Sequence, residues 1–187
     1  GSGQVQEHVG SRTFSFPATA FWQAHSQAPA AYTQLVTEWL GQREYQERTA
    51  WDLYGGVGLF VPALAAAVQG KVISVDYSPA ATAAEQPCLA DCDVELKSAK
   101  VEQVAPQLPK PGAVVLDPPR TGAGKDVIRS VAAAAPQAVV HVGCDPATFA
   151  RDLHYWDEHG YGIEKMALIN AFPGTHHFET IALITPA

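Results

Sequence analysis

Three stretches of this chain carry side chains that could do chemistry, and each stands where a strand should end. Cys144 lies in "AVVHVGCDPATFARDL". Val139, Val140 and Val142 read as a buried strand because they are β-branched, and Asp145 with Pro146 reads as a helix N-cap and first helical position. The sulfur is expected at the mouth of that helix, beside its positive end, either as a reactive thiol or as an inert buried one. Asp117 closes "AVVLDPP" and leads into Pro118, Pro119 and Arg120. Ligands of open α/β sheets bind beyond such strand ends; a Pro-rich turn with a capping Asp is the plainer alternative. "DLYGGVGLF" places Gly55, Gly56 and Gly58 between a strand and a helix, which lets backbone approach a ligand closely. Its G-G-x-G spacing is not the G-x-G-x-x-G of dinucleotide sites. The next strand ends in Asp76, placed to accept from both hydroxyls of a ribose.

These residues need a scaffold that brings strand ends to one rim. "QAPAAYTQLVTEWLGQ" reads as a helix with Tyr32, Leu35, Val36, Trp39 and Leu40 on one stripe. Strand-like and helix-like segments then alternate: "TAWDLYG", "LFVPALAAAVQ", "KVISVD", an Ala-rich stretch broken by Pro87, "DVELKS", "VEQVAPQL", "AVVLDPP", "KDVIRSVAAAA", "AVVHVGC" and "PATFARDLHYWDEHG". Alternation of this kind implies a parallel sheet covered on both faces. The closing strands, "GIEKMALINA" and "FETIALIT", have only the loop "FPGTHH" between them and should pair antiparallel. The fold class predicted is α/β: a class I SAM-dependent methyltransferase (Rossmann-like) fold, with a seven-stranded, mostly parallel sheet and a terminal antiparallel hairpin. That ending favours S-adenosylmethionine (SAM) over NAD as the adenosine-type ligand. Residues 1–26 read as an extended lead-in or linker and residues 27–187 as one catalytic domain.

The chain has 187 residues, 47% of them hydrophobic, enough for a single large core. No apolar run is long enough to span a membrane, so no membrane partner is expected, and the three cysteines with no disulfide framework make the reducing cytoplasm the expected compartment. Cys88, Cys92 and Cys144 do not suggest a disulfide framework, and Cys88 with Cys92 lacks a second pair for a metal site. His176 and His177 are adjacent and are assigned to a loop, so no metal is expected. The net charge of −7 is wrong for a stand-alone nucleic-acid binder.

"FWQAH", "DLYGGVGLF", "LDPPRTGAG", "GCDPATFARDL" and "FPGTHHFETIALI" occur in the order found in the RNA uracil-5-methyltransferase family. Over roughly residues 14 to 185 the chain resembles that family, most of all its actinobacterial-type members. The resemblance implies SAM as cofactor and methylation of carbon 5 of an RNA uridine, with rRNA preferred to tRNA. It implies Cys144 as the nucleophile that adds to carbon 6, activated as a thiolate by its helix mouth. Glu179 is then the base that removes the carbon 5 proton. The last strand runs antiparallel, so its start should share a rim with the other strands' ends. Gln23, Tyr54, Gly55, Gly56, Gly58, Asp76 and Asp117 are implied to hold the cofactor. Pro118, Arg120, Phe149 and Arg151 are implied to face the substrate; for both arginines a structural ion pair is the alternative to a phosphate contact. The target uridine should be flipped out or single-stranded.

The chain departs from the family pattern in places. Gly55 stands where the family usually has Cys, and Leu59 where Asn is common. The acid or amide that the family pattern leads one to expect near Ser98 and Ala99 is lacking. The family's N-terminal TRAM (OB-like) module is absent from these residues, so the expectation is a monomer that binds SAM and holds RNA weakly. Two other readings remain: an amino-group methyltransferase of the D-P-P-x type, which needs no Cys144, and a catalytically weak SAM-binding module.

Overall fold

The computed structural model describes residues 3–23, 25–170 and 178–187. His176 and His177, assigned above to a loop, lie outside the described residues. The predicted alternation is present. The main sheet contains β3 (Thr49–Leu53), β4 (Lys71–Asp76), β5 (Val94–Ser98), β6 (Ala113–Leu116), β7 (Ala138–Gly143), β8 (Tyr161–Ile169) and β9 (Glu179–Pro186). Its seven strands run in the order β5-β4-β3-β6-β7-β9-β8. The first five are parallel, and β9 pairs antiparallel with both β7 and β8.

Helices cover both faces, as buried parallel strands require. On one face α1 (Ala28–Gly41) and α2 (Val61–Val68) pack Tyr32, Val36, Val61 and Leu64 against Val115, Val140 and Val142. On the other, α3 (Val101–Val104), α4 (Gly124–Ala133) and α5 (Pro146–Glu158) pack Val101, Val127, Ile128 and Trp156 against Val114, Val139 and Ile184. The Ala-rich stretch is not a full helix. It forms two short 3-10 turns, at 83–85 and 87–89, where Pro87 removes the amide a longer helix would need.

The lead-in holds a feature that the sequence reading lacks. Residues 4–17 form a hairpin of β1 (Gln4–Val9) and β2 (Arg12–Pro17), a separate two-stranded sheet. Phe14 and Phe16 point into the core, and Trp22 stacks on Phe16 with ring centroids 4.9 Å apart. Arg12 clamps the hairpin to the turn after the 3-10 segments through two bonds to Asp91, of 2.7 and 2.8 Å. This docking delivers Phe21, Trp22 and Gln23 to the sheet's carboxyl rim.

Candidate active site

Strand alternation decides which side chains meet. Ala50, Val72, Val115, Val140, Val142, Ile181 and Leu183 all face α1 and α2. Residues an even number of positions away share that face: Asp52 on β3, Ser74 and Asp76 on β4, Asp117 after β6, Cys144 after β7 and Glu179 on β9. Register adds the second coordinate. Gly143 pairs with Thr180 across β7 and β9, so the next step brings Cys144 opposite Glu179. The two side chains lie on one rim because the last strand is antiparallel.

The cluster is a thiol among carboxylates. Burial pushes the Cys144 thiol up, Glu179 and Asp117 push it further, and Arg120 opposes them. The helix mouth was expected to favour thiolate; burial and two carboxylates from other strands outweigh it, so the free protein holds a thiol. Burial also raises Glu179, again against Arg120. Asp117 is pushed up to about 7 by desolvation and by Glu179, although Gln23 donates to its Oδ2 at 2.9 Å. Tyr32 belongs to the same cluster and was read from sequence only as part of an apolar stripe. Its hydroxyl is buried with no hydrogen-bond partner among the described residues and feels Glu179, Asp117 and Cys144.

Beside this cluster lies a pocket lined by Phe21, Trp22, Gln23, Tyr54, Gly55, Gly56, Val57, Leu59, Phe60 and Asp117. Tyr54 takes φ of 62°, an uncommon value that turns the chain sharply out of β3. Asp76 at the pocket edge accepts from the Gly56 amide at 2.8 Å and the Ser78 amide at 2.7 Å. A carboxylate has lone pairs left for a further donor on each oxygen. Gly55 has a local reason to differ from the family's Cys: a Cβ there would run into Ser74 Oγ and the Asp52 carboxylate.

Asp52 is 1% exposed, accepts from Ser74 Oγ at 3.2 Å and leaves Oδ1 without a partner among the described residues. Burial raises it from 3.8 to about 7. A carboxyl raised on folding contributes stability below its unfolded value that is lost as pH rises through the folded one. Asp52→Asn stays neutral throughout and keeps an acceptor for Ser74. Its stability relative to the wild type should therefore climb by roughly 2–3 kcal/mol between pH 5 and pH 8. Urea unfolding at the two pH values checks this; a constant difference would contradict a neutral buried Asp52.

Two residues expected at the substrate are placed elsewhere. Phe149 is 5% exposed and packs edge-on against His141 beneath Gly143, on the face opposite Tyr32. Its ring is committed to the core. Arg151 donates to Asp152 and to the Thr121 carbonyl, so the ion-pair alternative describes its position. Pro118 is buried, and Arg120 is exposed beside the cluster. Among the described residues no group of three His, Cys, Asp or Glu side chains is arranged to hold a metal ion. No helix among them is long and apolar enough to cross a membrane.

Comparison with known proteins follows the same lines. The tRNA (Uracil-5-)-methyltransferase family matches residues 97–186. An uncharacterized RNA methyltransferase of Corynebacterium glutamicum is 51% identical over 188 residues, covering 98% of this chain and 46% of the relative. The 23S rRNA (uracil(747)-C(5))-methyltransferase RlmC of Shewanella halifaxensis is 33% identical over 170 residues, covering 88% of this chain and 44% of that protein. The crystal structure of Pyrococcus abyssi tRNA (uracil-54, C5)-methyltransferase in complex with S-adenosyl-L-homocysteine superimposes with a TM-score of 0.82 at 27% identity. It covers 99% of this chain, which in turn covers 45% of it. The chain thus spans less than half the length of these relatives.

Proposed function

Because the chain belongs to the RNA uracil-5-methyltransferase family, we propose that it transfers a methyl group from SAM to carbon 5 of an RNA uridine, with Cys144 as nucleophile and Glu179 as base. The observation that carries this reading is the pairing of Gly143 with Thr180, which sets Cys144 opposite Glu179 beside a pocket. We take ribosomal RNA as the first substrate to test, on the likeness to a 23S rRNA enzyme at 33% identity, with transfer RNA as the alternative that the matching family and the Pyrococcus abyssi enzyme represent.

The pocket suits SAM. Phe21, Trp22, Leu59 and Phe60 supply apolar walls, Asp76 a carboxylate for ribose hydroxyls, and Asp117 with Gln23 the polar end next to Cys144. SAM supplies an electrophilic methyl group on a sulfonium. The chain's own residues do the rest. Carbon 5 of uracil is a weak nucleophile until the Cys144 sulfur adds to carbon 6 and turns the ring into an enolate. The thiol must first lose its proton. Asp117 and Glu179 face it, and Asp117, near 7, can exchange a proton at neutral pH. After the methyl group forms its bond to carbon 5, Glu179 removes the proton from that carbon. The electron pair of the broken C–H bond reforms the ring double bond and expels the sulfur from carbon 6. Arg120 is the cation that favours the ionised forms of Cys144 and Glu179.

A net charge of −7 leaves little attraction for phosphates, so the chain alone should hold RNA weakly and lose it as salt rises. The test is methyl transfer from labelled SAM into a 23S rRNA transcript at high RNA and low salt, followed by digestion to nucleosides. Label in 5-methyluridine is the expected result. Label in an N-methylated base, or in no nucleoside of ribosomal or transfer RNA, would refute the reading.

A further inference from the structure

We propose that α5 is a bracket that fixes Arg120 relative to Cys144, and that Thr148 and Asp152 are its positioning residues. The inference rests on the reading of Cys144 as the nucleophile. It concerns residues on the far face of the sheet, which touch neither pocket nor thiol.

Helix α5 starts two residues after Cys144, capped by Asp145, whose side chain accepts from the Thr148 amide at 2.8 Å. The same first two turns grip the loop after Asp117. Thr148 Oγ1 donates to the Arg120 carbonyl at 2.9 Å, and Arg151 donates to the Thr121 carbonyl at 2.8 Å. Asp152 accepts from the Ala123 amide at 2.6 Å and the Gly124 amide at 3.3 Å. Gly122 must be glycine here: its φ is +78°, and a Cβ would meet Arg151 and Asp152. Asp152 is fully buried, and His141 stands behind it, its Nδ1 accepting from Trp156 Nε1 at 3.0 Å.

One rigid helix therefore begins at the nucleophile and holds consecutive backbone groups of the loop that carries Arg120. A buried carboxylate with several donors is a demanding arrangement to maintain merely to cap α4. Its consequence at the site is electrostatic. Cys144 is faced by Glu179 from β9, Asp117 from the end of β6, Tyr32 from α1 and Arg120 from this loop, and of these Arg120 alone favours the thiolate.

Alkylation of Cys144 by iodoacetamide across pH, scored peptide by peptide so that Cys88 and Cys92 serve as internal controls, reads this directly. Arg120→Ala should slow Cys144 alkylation about 3- to 10-fold below its midpoint pH. Asp152→Asn and Thr148→Val should move the midpoint the same way by a smaller amount, with Cys88 and Cys92 unmoved. Deleting the Asp152 charge alone would shift it downward, so an upward shift reports the loop. Should Asp152→Asn fail to fold, Thr148→Val decides. A midpoint that Arg120→Ala does not move, or that moves in Arg120→Ala but in neither bracket variant, overturns the proposal. The reaction needs neither SAM nor RNA, so failure to methylate uridine would refute the function without touching this result.

Discussion

Cys144→Ala should lower methyl transfer to RNA by at least about 10⁴-fold while leaving SAM binding within a factor of about 3. Both halves follow from the geometry. In the proposed mechanism the sulfur makes carbon 5 nucleophilic, and among the described residues of the cluster no other group can replace it: Asp117 and Glu179 are carboxyls, and the Tyr32 hydroxyl is buried with its ionisation suppressed. The pocket proposed for SAM is lined by residues of the lead-in, the Gly-rich turn and Asp117, and Cys144 is not among them. Cys144→Ser is expected to be nearly as inactive, since a hydroxyl here would be far harder to deprotonate than the thiol. Single-turnover kinetics with labelled SAM, beside calorimetric titration of SAM, checks both. An alanine variant that keeps more than about a tenth of the activity would exclude covalent catalysis and favour transfer to an amino group.

Glu179→Gln should leave addition and methyl transfer possible but block the last step. Turnover should fall by about 10²- to 10⁴-fold, the range for loss of a positioned base. Unlike the Cys144 variants, this one should accumulate a protein–RNA adduct that survives denaturing gels. The distinction comes from position: Glu179 stands across from Cys144 at the start of β9, so it can reach a ring held on the sulfur. Removing its charge also lifts one of the two carboxylates that raise the thiol, so the adduct should form readily. Loss of turnover with no adduct would assign Glu179 to an earlier step.

Much of the scaffold was legible from local pattern. The Val- and Ile-rich runs at 72–75, 114–115 and 139–142 read as buried strands, and the lack of a helix-like segment in the sequence before "FETIALIT" foretold the antiparallel end. The carboxyl-rim position of Asp76, Asp117, Cys144 and Glu179 followed from that topology. What escaped depended on distant residues. The hairpin at 4–17 is mostly polar at alternate positions, and its stability comes from Phe14 and Phe16 meeting a core built by later segments. Tyr32 and Phe149 are both aromatic residues on helical stripes. Only the face of the sheet each helix covers separates the one at the Cys144 cluster from the one beneath Gly143. The Cys144 thiol shows the same limit: the helix end is local and visible in sequence, whereas the two carboxylates that override it arrive from β6 and β9.

The direct test of a sulfur bonded to the pyrimidine is to trap it. With SAM and RNA carrying 5-fluorouridine, the base meets fluorine where it needs a proton, and the chain should stay attached to the ring. Proteolysis and mass spectrometry should then find the methylated fluorouridine nucleotide on the peptide containing Cys144. Attachment at Cys88 or Cys92, or full methylation of ordinary uridine with no attachment to the fluorinated RNA, would contradict the account.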